Sequence, residues 1–491
     1  MTRGPVASRC RGAAGGHLAA GVAALLVVQA GGPALAARPT APAAPLPLVV
    51  ERPQPIHAIA EAPPGSAWGG CAFVLEGPHG RGAERTVLAV CRGGTVRGAP
   101  ELRPLAAGLA GARALAADLL GDGRVRVLVG VAGGVRAFLL GAPGEQPIEA
   151  PGVSDPRLDP SSLADRPDLD GDGARDLLQT TWEGLAAWRW TENGFDRLAS
   201  AALPRRAAAA GGAVTVWSPS VIAGDAAARP RWTWPASWTG ERLRVERVEL
   251  GPLGAGPACS AWVAPGSRVQ AAAAVVAGGD RPVLAALVEP AEQIALLGER
   301  RLLVAPLACR ASGRGEPPAM MLETPLANYF AGATLLVRDT TGDGIDDVVA
   351  IGFSGRLKPD LEVLAWAGNA GGGLARRPQR WSHRADSMSG SWSFDWDVDG
   401  DGRQDLVRRD EREVWVARGV RPEPGRVPLE RTPSFAAELP AEYAPVGPWG
   451  RVPPRTGNPG EPGWLLLAAQ RAGKETSAPG HALIVVPVPA R

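Results

Sequence analysis

A unit of three short apolar runs separated by tight turns recurs along most of this 491-residue chain. Residues 114–140, ALAADLLGDGRVRVLVGVAGGVRAFLL, show the unit plainly. The chain contains eight such units about 40 to 65 residues apart, a spacing typical of β-propellers and repeat arrays. They cover residues 68–97, 114–140, 164–190, 217–248, 271–307, 333–367, 391–418 and 443–488.

The apolar runs have the pattern of strands. In VRVLVGV, residues 125–131, valine occupies alternate positions, and VVAIG, residues 348–352, is short, rich in β-branched residues and bounded by glycine. No longer run carries a three-to-four periodicity with helix caps. Pro and Gly also recur too often for long helices. The sequence therefore predicts an all-β chain.

Three Asp-rich segments share the frame D-x-(D/T)-G-D-G-x-x-D-(L/V). They read DLDGDGARDL at 168–177, DTTGDGIDDV at 339–348 and DVDGDGRQDL at 397–406. The glycines allow a turn tight enough for the carboxylates to point inward, where they would repel one another. A hard cation such as Ca²⁺, which takes about six to eight oxygen ligands, removes that repulsion.

The sequence therefore predicts about three calcium sites. In each loop the ligands would be the side chains at places one, three, five and nine and the backbone carbonyl at place seven. The predicted set is Asp168, Asp170, Asp172, Ala174, Asp176, Asp339, Thr341, Asp343, Ile345, Asp347, Asp397, Asp399, Asp401, Arg403 and Asp405.

Other interpretations of these loops fit less well. A plain Asp-Gly turn would explain one loop, but three in one frame favour metal binding. An EF-hand needs a Glu at the twelfth place, where Gln179, Ala350 and Arg408 stand, and helical flanks. A carboxylate pair for acid/base catalysis is disfavoured because the metal would leave no free proton carrier.

Loops of this kind between strands, repeated at this spacing, resemble FG-GAP/VCBS repeats, the calcium-loop repeats of integrin-α-type β-propellers. The resemblance implies a β-propeller with calcium-binding hairpin loops over residues 66–491. Integrin-type propellers have seven blades and the chain has eight units, so we expect seven or eight four-stranded blades. Members of this family are usually extracellular binding or adhesion modules, or parts attached to enzymes.

A fourth loop departs from the frame. Residues 118–127, DLLGDGRVRV, keep Asp118 and Asp122 but have Leu120 at the third place and Arg126 at the ninth. We expect this loop to bind no metal and a guanidinium to stand near the vacant place.

The N-terminus predicts export to the extracellular space or the periplasm. Residues 1–37 form a signal peptide, with early arginines, the apolar run VAALLVV and the cleavage pattern Ala34-Leu35-Ala36. No later apolar run is long enough to span a membrane. Residues 38–65 are Pro-rich and predict a linker, with one short strand near residues 47–51.

Four cysteines follow the signal peptide, at positions 71, 91, 259 and 309. An even number in an exported chain favours disulfides, although three connectivities are possible. Cys71 and Cys91 lie in two apolar runs joined by a Gly-rich turn, so Cys71–Cys91 with Cys259–Cys309 is the favoured pairing. Four free thiols are the alternative for a reducing compartment.

Composition and motifs bound the function. The formal net charge of +2 comes from 52 basic and 50 acidic residues, scattered rather than clustered, which argues against nucleic-acid binding. HExxH, GxSxG and GxxxxGK(S/T) motifs are absent. We therefore expect a non-enzymatic binding or adhesion module for a protein or glycan. The alternative is a propeller-fold polysaccharide lyase or hydrolase.

Tryptophan is unusually frequent, with 16 residues against two Tyr. The favoured interpretation is packing between blades, and an aromatic platform for a ligand is the alternative. Seven of the tryptophans fall in two consecutive units: Trp182, Trp188, Trp190, Trp217, Trp232, Trp234 and Trp238.

Overall fold

The computed structural model describes the chain in segments. These are residues 46–93, 99–156, 158, 163, 174–180, 184–202, 215–216, 220–222, 232–234, 236–238, 242–249, 255–262, 267–275, 283–290, 300–306, 308–309, 322–326, 330–355, 359–371, 373–385, 388–454, 461–472 and 480–490. Their regular elements are β-strands, so the all-β prediction is confirmed for this part of the chain. A search of the same segments for a helix long and apolar enough to cross a membrane finds none.

The strands form eight antiparallel sheets in chain order. A short strand, β1 (Leu48–Arg52), comes first. The first sheet contains β2 (Ile56–Glu61), β3 (Cys71–Glu76), β4 (Thr86–Cys91) and β5 (Glu101–Ala106). The second contains β6 (Ala114–Leu119), β7 (Val125–Val131), β8 (Gly134–Leu140) and β9 (Ile148–Ser154). The third contains β10 (Leu177–Thr180), β11 (Gly184–Thr191) and β12 (Gly194–Ala202).

The next two sheets are interleaved in sequence. The fourth contains β13 (Thr215–Val216), β14 (Ser220–Ile222), β15 (Trp232–Trp234), β16 (Ala236–Trp238), β17 (Arg242–Glu249), β18 (Ala255–Trp262) and β22 (Ala308–Cys309). The fifth contains β19 (Ser267–Val275), β20 (Val283–Pro290), β21 (Arg301–Pro306) and β23 (Leu322–Pro325).

The last three sheets are regular. The sixth contains β24 (Phe330–Arg338), β25 (Asp347–Ser354), β26 (Asp360–Trp366) and β27 (Gln379–Arg384). The seventh contains β28 (Ser391–Trp396), β29 (Asp405–Arg409), β30 (Glu413–Ala417) and β31 (Phe435–Glu438). The eighth contains β32 (Tyr443–Val452), β33 (Gly463–Arg471) and β34 (His481–Val488), and β1 completes it.

Burial along the strands shows how the sheets pack. The middle strands are covered on both faces: every residue of β25 is buried, as are six of the seven in β7. The outer strands of a sheet differ: β6, the first strand of the second sheet, and β31, the last strand of the seventh, alternate between buried and more accessible residues. Apolar runs such as VVAIG therefore stand in the middle of each sheet, where both faces need apolar side chains.

Among the described residues, buried side chains form layers between several pairs of consecutive sheets. Pairs that share one layer include Phe73 with Val127, Leu128 with Leu177, Val304 with Val348, Val349 with Leu406, and Val407 with Leu465. A further layer joins Val74 of the first sheet to Trp464 of the eighth. Sheets that pack face to face and return to the first form a β-propeller.

The ring is closed by strand pairing at the two ends of the described chain. β1 pairs antiparallel with β34, from Leu48 opposite Val485 to Arg52 opposite His481. The C-terminal run HALIVVPV therefore forms β34 of the last sheet, and the N-terminal strand β1 pairs with it as the fourth strand of that sheet. This pairing covers an edge that would otherwise be open.

The strands β1 and β2 lie in the Pro-rich segment that the sequence places in a linker. The propeller therefore begins before residue 66, at least from Leu48. Prolines fit here because they lie outside both strands: Pro47 precedes β1, and Pro53 and Pro55 lie in the connection between β1 and β2. The predicted signal peptide lies outside the described residues.

Two of the clustered tryptophans pack in the core, as the favoured interpretation expects. Trp188 and Trp190 are buried on one face of β11, in the layer between the second and third sheets. Trp182 and Trp217 lie outside the described residues. For Trp232, Trp234 and Trp238 only the strand backbone is described.

The cysteines are paired by register. Cys71 and Cys91 face each other across β3 and β4 and form a disulfide. Cys259 and Cys309 are opposite each other across β18 and β22. Residues directly opposite in an antiparallel pair have Cα atoms about 4.5–5.5 Å apart, within the span of a disulfide.

We predict a second disulfide between Cys259 and Cys309. Trypsin digestion of the non-reduced, alkylated protein should yield a linked pair of peptides, residues 248–268 and 302–310. Reduction should separate them, and the Cys71–Cys91 bond serves as the internal control. Recovery of both peptides as alkylated free thiols would contradict the pairing.

We also predict that loss of β1 destabilises the propeller. A chain starting at residue 53 should unfold with about 3–5 kcal/mol less free energy, since five pairs of residues lose their ladder at roughly 0.5–1.5 kcal/mol per hydrogen bond. Thermal melts and size-exclusion chromatography would show a lower Tm and self-association through the β34 edge. A chain starting at residue 46 is the matched control, and equal melting of the two would refute the role of the strand.

Candidate functional site

The loop between β28 and β29, residues 397–404, is folded around its first carboxylate. Asp397 Oδ1 accepts hydrogen bonds from the N–H groups of Gly400 at 2.7 Å and Asp401 at 3.0 Å, and Oδ2 accepts one from Gly402 at 2.8 Å. Gly400 and Gly402 have φ near +80°, a conformation that favours glycine. The two glycines of the frame thus let three amides converge on one side chain.

The carboxylate at the ninth place ties the loop to the rest of the sheet. Asp405 is fully buried, and its oxygens accept hydrogen bonds from the N–H of Val398 at 2.7 Å and the N–H of Gly419 at 2.8 Å. Gly419 comes just after β30, so Asp405 connects the hairpin to the end of the third strand. Burial raises the pKa of Asp405 to about 7, and the nearby Asp399 and Asp397 add to the rise.

Three carboxylates of this loop meet. One oxygen from each of Asp397, Asp399 and Asp405 can be chosen so that all lie within 4.8 Å of one another. Asp399 Oδ2 is buried and accepts no hydrogen bond, although Arg418 Nε lies 3.3 Å away. Convergent carboxylate oxygens, one of them without a hydrogen bond, fit a hard cation such as Ca²⁺. Among the described residues this is the one group of its kind.

The loop between β24 and β25 repeats the fold of the first carboxylate. Asp339 accepts hydrogen bonds from the N–H groups of Gly342 at 2.6 Å and Gly344 at 2.8 Å, at the same offsets as in the 397–404 loop. Asp343, like Asp401, accepts from the N–H two residues later, here that of Ile345 at 2.9 Å. The shared frame therefore specifies a shared backbone.

The ninth place is also equivalent in this loop. Asp347 is fully buried and accepts hydrogen bonds from the N–H of Thr340 and the N–H of Gly368, each at 2.8 Å. Thr341 replaces the third carboxylate, and its hydroxyl donates to Asp339 at 3.3 Å. With a hydroxyl at that place, the loop brings fewer carboxylates together than the 397–404 loop does.

The first predicted loop is described only at its end. Asp168, Asp170 and Asp172 lie outside the described residues, and Ala174 and Asp176 lie within them. Asp176 is fully buried and accepts a 2.7 Å hydrogen bond from the N–H of Trp190, which lies near the end of β11. Its place therefore matches that of Asp405, which bonds a residue just after β30.

The loop between β6 and β7 replaces the ninth carboxylate by a cation. The fully buried guanidinium of Arg126 lies 3.0 Å from Asp118 Oδ2, as the sequence predicts. It also donates to the carbonyl of Arg175 and lies 4.5 Å from the ring of Trp190. Asp122, by contrast, is exposed and bonds only its neighbour Arg124 among the described contacts. An ion pair thus occupies the place where the other loops gather acidic groups.

The Asp-rich loops lie at one end of the ring. Three of them follow the first strand of their sheet, namely β6, β24 and β28, and the 168–176 segment precedes β10. Among the described first strands, β2 lies next to β6 and β32, and these three border a cleft. Arg451, near the end of β32, pairs with Glu61 at the end of β2 at 2.5 Å and donates to the carbonyl of Asp397. The C-terminal ends of three first strands therefore meet.

The cleft between β2, β6 and β32 has a volume of about 780 Å³. Small apolar residues of the first strands form its wall, including Ala58, Ala60, Ala114 and Ala116. Polar and charged groups stand at its two ends. Glu61, Asp118, Arg175 and Arg451 are at the loop end, and His57 and Arg113 are at the other.

Several of these residues could not be found from sequence motifs. Arg418 and Gly419, just after β30, contact the 397–405 segment from the neighbouring strand. His57 and Arg113 stand in different sheets. Only the strand order brings such residues together, and a single loop motif carries no signal for them.

Comparisons with known proteins identify no family. No family model matches the chain, and no curated protein matches it. Among solved structures, the V. cholerae biofilm matrix protein Bap1 is 11% identical with a TM-score of 0.35, the match covering 90% of this chain and 87% of that one. Drosophila Semaphorin 1b is 9% identical with a TM-score of 0.30, covering 89% and 88%.

A third match is a Synechocystis apocarotenoid oxygenase mutant, 14% identical with a TM-score of 0.32, covering 72% of this chain and 85% of that one. At these identities and TM-scores, none of the three likenesses says what this chain binds or does.

We predict that the buried Arg126 is essential for stability. Arg126→Ala should lower the free energy of unfolding by about 3–5 kcal/mol, because the buried Asp118 would lose its 3.0 Å ion pair, while Arg175 stays 3.9 Å away. Chemical denaturation measures this loss, and Asp118→Ala in the same chain should recover part of it.

The control for this prediction is Arg124→Ala, two residues away. Arg124 and Asp122 form an exposed ion pair, whose loss should change stability by less than about 1 kcal/mol. A loss of similar size for Arg126→Ala and Arg124→Ala would contradict the structural role of Arg126.

Proposed function

We propose that the chain is an exported, calcium-stabilised β-propeller that acts as a binding or adhesion module for a protein or glycan. The observation that carries the proposal is the shared architecture of the 339–347 and 397–405 segments. In both, the carboxylate of the first Asp accepts hydrogen bonds from the N–H groups of two glycines. The carboxylate of the ninth Asp accepts a hydrogen bond from the N–H of a glycine that lies two residues after the third strand of the sheet.

The proposed ions would be held by the carboxylates of the Asp frame. In the loop that is best formed, Asp397, Asp399 and Asp405 already gather oxygens within 4.8 Å. Asp401 and the backbone carbonyl of Arg403 would add ligands. Bound Ca²⁺ would neutralise the repulsion among these groups and stabilise the hairpin; the amides of the loop hold the carboxylates in place beforehand.

We further propose that the propeller is of the FG-GAP/VCBS type and has eight blades. Eight sheets follow the eight sequence units in order, and the closing strand completes the last of them. The fourth sheet, with its short strands and seven members, would be a modified blade. Export is supported by the disulfide between Cys71 and Cys91.

The cleft favours a binding role over a hydrolase or lyase. Its wall is built from small apolar residues. The acidic groups at its loop end are held in ion pairs, Glu61 with Arg451 at 2.5 Å and Asp118 with Arg126 at 3.0 Å. The guanidinium beside each carboxylate favours its charged form, although burial raises the pKa of Glu61. The proposed mechanism is therefore structural: rigid sheets present a cleft and rim loops to a ligand.

The calcium proposal is tested by thermal stability and stoichiometry. Removal of calcium with excess EDTA should lower the Tm of the exported chain, since an ion bound only to the folded state stabilises it. Isothermal calorimetry should count about three bound ions, and Asp399→Ala should reduce the count by one.

Asp122→Ala is the matched control, because Asp122 is an exposed carboxylate of the loop that holds Arg126. It should leave both the stoichiometry and the Tm in calcium unchanged. An unaltered Tm in EDTA, or an unaltered count in Asp399→Ala, would refute the calcium loops.

A further inference from the structure

A smaller cleft of about 350 Å³ opens at the end of the ring opposite the Asp-rich loops. His57 near the start of β2 and Arg113 just before β6 line it from the first strands. The turn between β3 and β4, residues 77–85, supplies the remaining lining residues. These are His79, Gly80, Arg81 and Arg85.

His57 is aimed at this cleft by an irregularity of its strand. The register of β2 on β3 shifts between Ile56 and Ala58, so His57 is the extra residue of a bulge. A bulge redirects the side chain it contains. The ring Nε2 donates to the carbonyl of Gly77 at 2.7 Å, which fixes the imidazole against the β3–β4 turn.

The turn is also fixed from the other side. Arg85 is buried, with 6% of its surface exposed, and donates to the carbonyls of Ala112 and Pro78. A Cβ at Gly77 would lie 2.6 Å from Arg85 Cγ, so this close approach requires glycine. The N–H of Gly111 donates to Ala83 at 3.0 Å. The segment that leads to Arg113 is therefore attached to the turn.

The result is a group of guanidiniums without a matching carboxylate. Among the described residues, no Asp or Glu forms an ion pair with Arg81, Arg85 or Arg113. Glu76, close by, is bound at both oxygens by Arg52, at 2.6 and 3.0 Å. Burial lowers the pKa of Arg85, and the charge of Arg113 lowers it further. Like charges held this way favour a bound anion.

A metal ion fits this place less well. His79 lies 5.3 Å from His57 and 6.4 Å from His481 between ring centroids, a spacing that invites the idea of a histidine site. The described residues, however, contain no histidine group whose ring nitrogens converge within 4.8 Å. The adjacent arginines would also repel a cation.

We infer that this cleft binds the anionic group of a ligand, a carboxylate, sulfate or phosphate, through Arg81, Arg85 and Arg113. Guanidiniums donate in a planar fork that matches the oxygens of such groups. Exposed Arg81 and Arg113 would close on the anion, while buried Arg85 is held in place by its carbonyl partners. His57 and His79 line the same cleft and complete its polar wall.

This inference deepens the proposed binding role, on which it rests, by naming the chemistry of the ligand. It is independent of the Asp-rich loops, which lie at the other end of the ring. A calcium titration therefore tests only the calcium loops, and an anion titration tests only the anion cleft. A negative result in one experiment overturns that proposal and leaves the other standing.

The test measures binding of two anionic probes to the exported chain by calorimetry, at constant ionic strength balanced with chloride. Sodium sulfate probes a free anion, and dextran sulfate probes an anionic polysaccharide, with uncharged dextran as its partner. Arg81→Gln and Arg113→Gln are the test variants, both at exposed positions. Arg421→Gln, also exposed and beside the 339–347 loop through Pro422, removes the same charge elsewhere.

We expect at least one anionic probe to bind, with uncharged dextran silent. Each test variant should weaken binding by about tenfold, the effect of one charge-assisted hydrogen bond, while Arg421→Gln binds as the parent does. Binding of sulfate alone would indicate a free anion as the ligand, and tighter binding of dextran sulfate a polysaccharide. Absence of binding by both, or equal weakening in Arg421→Gln, would overturn the inference.

A Tm unchanged from the parent chain shows that Arg81→Gln and Arg113→Gln are folded. If either variant melts lower, the conservative change to Lys at the same position, which keeps the charge, should restore the Tm and part of the affinity. If the Lys variant regains the Tm of the parent chain but none of its affinity for the anion, the positive charge at that position does not contribute to binding.

Discussion

The pairing of β1 with β34 is the interaction on which the rest of this structure depends. It joins residues more than 400 positions apart, Leu48 with Val485 among them, and so turns a row of sheets into a ring. Side chains reinforce the seam: Tyr443 donates to Glu51 at 3.0 Å, and Arg471 pairs with the same carboxylate at 3.0 Å. Because the ring closes here, the first strands surround one cleft, and their starts and ends define two separate sites.

At the end of the ring that carries the Asp-rich loops, the residue at the ninth place of the frame determines the local charge of each loop. Asp347 and Asp405 occupy the ninth place fully buried. Each accepts a hydrogen bond from an N–H of its own loop and from the N–H of a glycine just after the neighbouring third strand. Arg126 occupies that place in the second sheet and is paired with Asp118. The same position thus accepts either a carboxylate that amides hold or a guanidinium with its own counter-charge. Only the first choice accumulates negative charge that a cation would offset.

Much of the fold could be predicted from the sequence because its signals are local. Alternating valines, glycine-bounded runs and Asp-Gly turns specify strands and hairpins within a few residues, and the sheets of the described residues follow the order of the sequence units. The Cys71–Cys91 pairing follows from two runs and one turn. The short strand predicted near residues 47–51 is β1. The strand β2 was not predicted, because the prolines at positions 53 and 55, which lie between the two strands, favour a linker.

Non-local contacts could not be read in the same way. Arg418 approaches Asp399 from the end of a third strand, and nothing within the loop specifies that partner. The closing strand joins the last sheet from the N-terminus, although a C-terminal strand that completes the first sheet satisfies the same sequence pattern. Strand order, and not residue pattern, decides between the two, and it emerges only when all the sheets pack.

The distribution of charge shows most clearly what folding adds to composition. Basic and acidic residues are nearly equal in number and scattered along the chain, which argues for no particular charged surface. In the folded ring, some arginines are paired with carboxylates and others are grouped without them. At the loop end, Arg126, Arg418 and Arg451 each lie against a carboxylate. At the opposite end, Arg81, Arg85 and Arg113 come together because a turn and the start of the next first strand meet there. A chain that is neutral on average can thus hold a local excess of positive charge, and such an excess attracts an anion whatever the net charge of the protein.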